Sequence, residues 1–292
     1  MSAEGLRLRS RSRGDSVRGV AFQALLLLSL AIGFVTLGVL LVDVLQRGLP
    51  YLDLTLLTNP PSTDPQIAGA RPAILATIYM MGILLATVLP IGVGTAIYLE
   101  EYANKERWYN RLLDLNIQNL AAVPSTVYGI LGLAFLVRGL GLGRVLLAGA
   151  LILTLLVLPI VIVSAREAIR AVPDSIRQGG YALGATQWQV IWRQVLPAAA
   201  PGMATGSILA LSRGLGETAP LLLVGALTYV SFDPTLLGDF TALPIQIYQW
   251  VERPQEEFRV PLASAGIIVL LTIVLTLNAF AIWLRNKYGR RW

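Results

Sequence analysis

Apolar residues run along this chain in six long stretches separated by short polar segments. A helix needs about 20 apolar residues to cross a ~30 Å hydrocarbon core. The first stretch is Val20–Val42, closed by Asp43, and the second is Pro72–Leu99, ending at Glu100. The third lies between Asp114 and Arg138, and the fourth between Arg144 and Arg166. The fifth starts near Pro197 and runs to about Tyr229, and charges interrupt it. The sixth lies between Arg259 and Arg285. Six membrane-spanning helices are predicted. The first is too long for the apolar core of a cleaved signal peptide and lacks a small-residue cleavage site, so it reads as a retained anchor.

Composition agrees: the 292 residues are 55% hydrophobic and 14% charged, and the mean hydropathy is +0.66. Cysteine and histidine are absent, which excludes disulfides, thiolate chemistry and imidazole metal ligands. No metal site and no catalytic residue is expected. The net charge of +6 sets topology and is not read as a nucleic-acid surface. With both termini inside, the inner segments hold sixteen Lys and Arg residues, among them Arg7, Arg9, Arg11, Lys105, Arg166, Arg170, Arg177, Arg290 and Arg291. The outer segments hold six: Arg47, Arg71, Arg138, Arg144, Arg253 and Arg259. The bias predicts cytoplasmic termini. Residues 1–19 form a basic tail, 20–42 the first span, 43–70 an outer loop and 286–292 a second tail. The outer loops 43–71 and 230–259, the second carrying Trp250, Glu252, Glu256 and Glu257, are either plain connections or docking sites for an external partner.

Three features carry the candidate chemistry. The inner loop 166–197 reads as an elbow of two short helices. Pro173 breaks the fourth span, Asp174 or Ser175 caps a helix through Leu183, and Gly184 permits a sharp turn. Thr186 and Gln189 have capping-box spacing for a helix over Gln187–Leu196, which Pro197 ends. Trp188 and Trp192 share one side of that helix; the pair suits either the membrane interface or a docked protein. In the fifth span every fourth residue is small, with Gly202, Gly206, Ala210 and Gly214 forming a stripe for close helix packing. Arg213 and Glu217 are one helical turn apart. Arg213 lies about twelve residues beyond Pro201, or ~18 Å along a helix, deep in the membrane. An arginine there costs ~2.5–3.5 kcal/mol, so the pair should face a protein interior or a wet cavity. An arginine fork suits an oxyanion, and the glutamate keeps its binding weak enough for release.

The chain has no G-x-x-x-x-G-K-[ST] loop, so any ATP-driven step needs another chain. The inner loop resembles the E-A-A loop of type I ABC-importer permeases, in which E-A-A, three residues, Gly, nine residues, Ile, one residue and Leu-Pro follow in order. Gly184, Leu196 and Pro197 match at that spacing, while Gln178, Gly179 and Gly180 stand at E-A-A and Gln194 at the isoleucine. The departure at Gln178 removes the carboxylate that would pair with the ATPase and leaves the docking role. Arg213-Gly-Leu-Gly-Glu-Thr-Ala-Pro220 resembles a signature of the PstA family of phosphate permease subunits. Arg71-Pro-Ala-Ile-Leu-Ala-Thr77, Gly94-Thr-Ala-Ile-Tyr-Leu-Glu-Glu-Tyr-Ala103 and Val123-Pro-Ser-Thr-Val-Tyr-Gly-Ile-Leu-Gly132 also resemble its segments, in the same order.

The resemblance implies an all-α, six-helix permease of MetI-like fold over 71–285 in a bacterial cytoplasmic membrane. ATPase coupling would fall to Gln178, Gly179, Gly180, Gly184, Ala185, Leu196 and Pro197, and the transport path to Arg213 and Glu217. It implies a PstC-like second permease, a PstB-like ATPase dimer that uses ATP and Mg, and a PstS-like external phosphate-binding protein. This chain itself would bind no cofactor. A sulfate or molybdate permease is the alternative within the class. A secondary carrier with Glu217 as proton site leaves the elbow without a role. An intramembrane enzyme acting on a phospholipid lacks a second carboxylate or metal cluster.

Overall fold

The computed structural model describes residues 13–104, 106–226 and 229–288, with side chains except at 13–18, 284 and 288. Arg7, Arg9, Arg11, Lys105, Arg290 and Arg291 lie outside the described residues. The described chain is helical throughout, without strands. Five helical rods are long and apolar enough to cross a membrane, and a sixth candidate is a bent pair.

Helix α1 (Arg13–Gly48) runs through Asp43 and ends six residues beyond the expected span. Its apolar side chains are exposed all round, with Phe34 and Val35 each about two-thirds exposed. An all-round apolar surface of that length suits lipid or another membrane helix. A short helix α2 (Leu54–Thr58) precedes α3 (Arg71–Ile97), whose end is a π-helical turn over Tyr98–Tyr102. Helix α6 (Leu146–Arg170) is the central post. It packs against α3 on one flank and against α9 (Leu196–Gly216) on the other. A Thr87–Thr154 hydroxyl contact of 2.8 Å joins α3 to α6. Along α9 the small stripe meets α6: a Cβ at Gly206 would lie 2.1 Å from Ser164 Cβ, and one at Gly202 would lie 2.8 Å from Ala168 Cβ. Gly214 approaches Leu84 and Val157, and Ala210 is fully buried. Gly206→Leu is therefore expected to force α6 and α9 apart, at about 1–3 kcal/mol for overpacking. The melting temperature in detergent should fall by several degrees. Gly216→Ala, in open space, should leave it unchanged.

Two expected spans are corrected. The stretch from Asp114 to Arg138 is no single rod. Helix α4 (Trp108–Ala121) and helix α5 (Ser125–Gly132), which continues as a π segment to Gly139, meet at 107°. Pro124 has no N–H and drives Val123 out of the helical region. Asp114, Asn116, Gln118 and Asn119 make α4 the more polar half of the pair. The fifth span is corrected at both ends. Its helix stops at Gly216, and after Glu217 and Thr218 a short helix α10 (Ala219–Val224) packs on α5. At the other end Pro197 terminates nothing: helix runs unbroken from Gln187 to Gly216. The turn before it, Ile191–Val195, is π-helical, and the Leu196 N–H reaches back five residues to the Ile191 carbonyl. That looser turn makes room for the proline ring.

Buried side chains form three clusters. One lies around α3, α6 and α10, and one joins the ends of α3, α6 and α9 near residues 96, 169 and 195. The third lies at the opposite end, where the 230–259 segment folds inward through α11 (Leu243–Val251) before a π turn at Phe258–Leu262 opens α12 (Ala263–Tyr288). Trp250 and Phe258 are fully buried there. Trp250 is thus a core residue, while Glu252, Glu256 and Glu257 stay exposed.

Candidate functional site

The elbow forms from purely local instructions. Helix α7 (Asp174–Ala182) begins right after Pro173, with no side-chain cap. Asp174 occupies the first turn instead of the capping position and pairs with Arg177 at 3.2 Å. Gly184 turns the chain at φ +80°, a conformation a Cβ would strain. Thr186 then caps helix α8 (Gln187–Val190) through a complete capping box with Gln189. Gly180 lies against the second helix: a Cβ there would sit 2.7 Å from Val190 and 3.2 Å from the Gln194 amide oxygen. Ala185 N–H donates to the Gly180 carbonyl at 3.1 Å. Gln178 and Gly179 are exposed, and Leu196 and Pro197 are half-buried where α8 passes into α9.

The tip of the elbow is apolar and open. Trp188 and Trp192 meet edge-on at 5.2 Å between centroids and both are about half exposed. Tyr181 is similarly open, and Leu183 is 87% exposed. A group of large apolar side chains this open suits either the membrane interface or a docked protein. Sequence reasoning found the tryptophans and passed over Tyr181 and Leu183.

A set of ion pairs behind the elbow was also missed. The Arg166 guanidinium donates to Glu100 at 2.9 Å and pairs with Asp114. Arg170 donates to Glu100 at 2.8 Å. Arg177 donates to Glu101 at 2.8 Å and to the Val172 carbonyl at 2.7 Å. Burial works against the Arg177 charge, but the hydrogen bond and charge of Glu101 more than offset it, and its pKa is raised. Arginine and glutamate that look like topology markers are here a buried network.

The charged pair lies at the other end of α9. Arg213 is in the last helical turn, where its charge complements the helix C-terminus. Glu217 stands one residue past the helix in extended conformation, its carboxylate 3.5 Å from Arg213 Nε. The Arg213 side chain is 49% exposed and that of Glu217 18%. Arg213 lies half open and Glu217 mostly covered, beside the break between α9 and α10. Two of the segments quoted above, 123–132 and 213–220, meet there, since a Cβ at Gly129 would lie 2.7 Å from the Pro220 Cα.

A cavity of about 450 Å³ lies elsewhere, between α3, α9 and α12. Its polar side chains are only Ser207, Asn278 and Arg285. That lining suits no hydrated oxyanion, and neither Arg213 nor Glu217 contributes to it.

Comparison with known proteins gives a consistent picture. Residues 88–292 match the family model of "Binding-protein-dependent transport system inner membrane component". "Phosphate transport system permease protein PstA 1" of Mycobacterium tuberculosis (strain CDC 1551 / Oshkosh) is 34% identical over 224 residues, 76% of this chain and 72% of that protein. "Phosphate transport system permease protein PstA" of Haemophilus influenzae is 32% identical over 87% of this chain and 88% of its own length. A chain of a bacterial alginate ABC transporter, solved with its pentasaccharide-bound periplasmic protein, superposes with a TM-score of 0.67 at 17% identity, over 96% of this chain and 99% of its own. That last likeness concerns the fold alone.

Proposed function

The chain belongs to the family of binding-protein-dependent transport system inner membrane components, and on that premise we propose that it is the permease subunit of an ATP-driven phosphate importer. The observation that carries the reading is the unbroken helix from Gln187 to Gly216. It joins an exposed apolar elbow at one end to Arg213 and the broken backbone at Glu217 at the other. Irregular backbone at membrane depth is tolerated where it is buried in protein or lines a water-filled cavity. Arg213 supplies the fork that receives phosphate, and Glu217 keeps the complex weak. Because Arg213 is half exposed on this chain, a second permease subunit completes the path. That subunit is PstC-like.

The elbow seats in a separate PstB-like ATPase dimer, which holds ATP and Mg, so this chain binds no cofactor and performs no covalent chemistry. An external PstS-like protein delivers phosphate. The protein lies in the cytoplasmic membrane of a bacterium with both termini in the cytoplasm, as its arginine bias supports. ATP closes the ATPase dimer, the elbow moves, and the path opens outward; hydrolysis resets it.

The test is purification with the candidate ATPase and partner permease, followed by uptake in proteoliposomes. Co-purification and ATP-dependent uptake of phosphate, not matched by sulfate or molybdate, are expected. Uptake driven by a proton gradient without an ATPase would make this a secondary carrier. Preference for sulfate or molybdate would keep the class and replace the substrate.

A further inference from the structure

Glu101 lies in the π turn that ends α3, and its side chain is 6% exposed. Its carboxylate accepts from Arg177 Nε at 3.2 Å and from Nη2 at 2.8 Å. The same guanidinium donates to the Ile169 carbonyl at 3.0 Å and the Val172 carbonyl at 2.7 Å, closing the C-terminus of α6. Its contact with Asp174 adds the start of α7. The Glu101 backbone carbonyl accepts from Gln187 Nε2 at 2.6 Å, at the first residue of α8. One residue of α3 thus grips both helices of the elbow. Its neighbour Glu100 binds Arg166 and Arg170, which belong to α6. The two adjacent carboxylates divide the work: Glu100 ties α3 to the central post, and Glu101 ties α3 to the elbow.

We propose that Glu101 and Arg177 form a joint that makes the α3 end and the elbow move as one body, so that elbow motion drives α3 as well as α9. The inference rests on the reading of the elbow as the ATPase-docking loop. Helix α9 receives the motion by continuity, since it is the same helix as α8. Helix α3 has no such continuity with the elbow, and the Glu101 contacts supply it. Fixed dipoles and charges at buried positions resist shear where apolar contacts slide, because displacement leaves a charge unpaired. The helices on both flanks of α6 are then displaced together. Glu101 and Arg177 are positioning residues; neither touches phosphate or nucleotide.

The experiment uses the assembled transporter in proteoliposomes and reads phosphate taken up per ATP hydrolysed. Glu101→Gln is expected to retain the ATPase and its hydrolysis rate while the ratio falls at least tenfold. The exchanged pair Glu101→Arg with Arg177→Glu should recover part of it. A wild-type ratio in Glu101→Gln overturns the proposal. A second measurement does not depend on how that variant folds. The chain has no cysteine, so spin labels are placed at Tyr102→Cys and Ser175→Cys, both on exposed positions. With Glu101 intact, the label distance should stay fixed when ATP is added. A distance that changes with ATP would overturn the joint. If wild-type complex hydrolyses ATP without importing phosphate, the substrate reading fails instead, and the label distance still decides the joint.

Discussion

Arg213→Gln is expected to reduce phosphate uptake by the assembled transporter at least tenfold, with the yield of complex unchanged. The side chain stays polar, shortens and loses its charge. Charge-assisted hydrogen bonds are worth about 1.5–3 kcal/mol, roughly tenfold to more than a hundredfold in binding. Assembly is expected to survive because the guanidinium is half exposed and its ion pair with Glu217 spans 3.5 Å. Exposed or half-exposed pairs contribute little to stability. Uptake at the wild-type rate would remove Arg213 from the path and leave it a helix-end charge complementing the α9 dipole.

Gly184→Trp should give the second large effect, separating hydrolysis from transport. At φ +80° an L residue costs roughly 1–2 kcal/mol, which a 292-residue chain can absorb. A Cβ at Gly184 meets open space, so the indole is expected to obstruct an ATPase docking against Leu183 and Trp188. The measured outcome should be a permease that inserts normally and either loses its ATPase on purification or retains it with uptake per ATP strongly reduced. A fully coupled Gly184→Trp complex would show that docking lies elsewhere on the surface.

How far these features were legible in the sequence depends on how local their causes are. The capping box at Thr186 and Gln189 and the left-handed turn at Gly184 were readable because each lies within a few residues. Apolar run length found four of the rods and placed the fifth only in part. It failed between Asp114 and Arg138, where the apolar average masks one proline and a polar helix. Pro197 was read as a helix end because proline removes a hydrogen bond. The actual response was a five-residue reach from Leu196 to Ile191, which no side-chain pattern announces. The Glu100, Glu101, Asp114, Arg166 and Arg177 network was invisible for a different reason. Its partners lie 52 to 76 residues apart, and each charge alone looks like a marker of the inner side. Trp250 looked available in a polar loop because burial there depends on how Leu243–Val251 folds back onto α3 and α12.

The continuous helix from Gln187 to Gly216 also sets an angular rule. Each residue of an α-helix turns the chain by about 100°, so the elbow and Arg213 are locked in phase about a common axis. Most substitutions between Leu196 and Ser212 leave that phase alone, but gain or loss of one residue swings the guanidinium onto the face occupied by α6 or α12. The π turn at Ile191–Val195 is an offset of this kind, already written into the rod between the indoles and the membrane. The compass bearing of Arg213 is therefore fixed by counting residues, and the chain has much less freedom to change length there than in the loops at its far end.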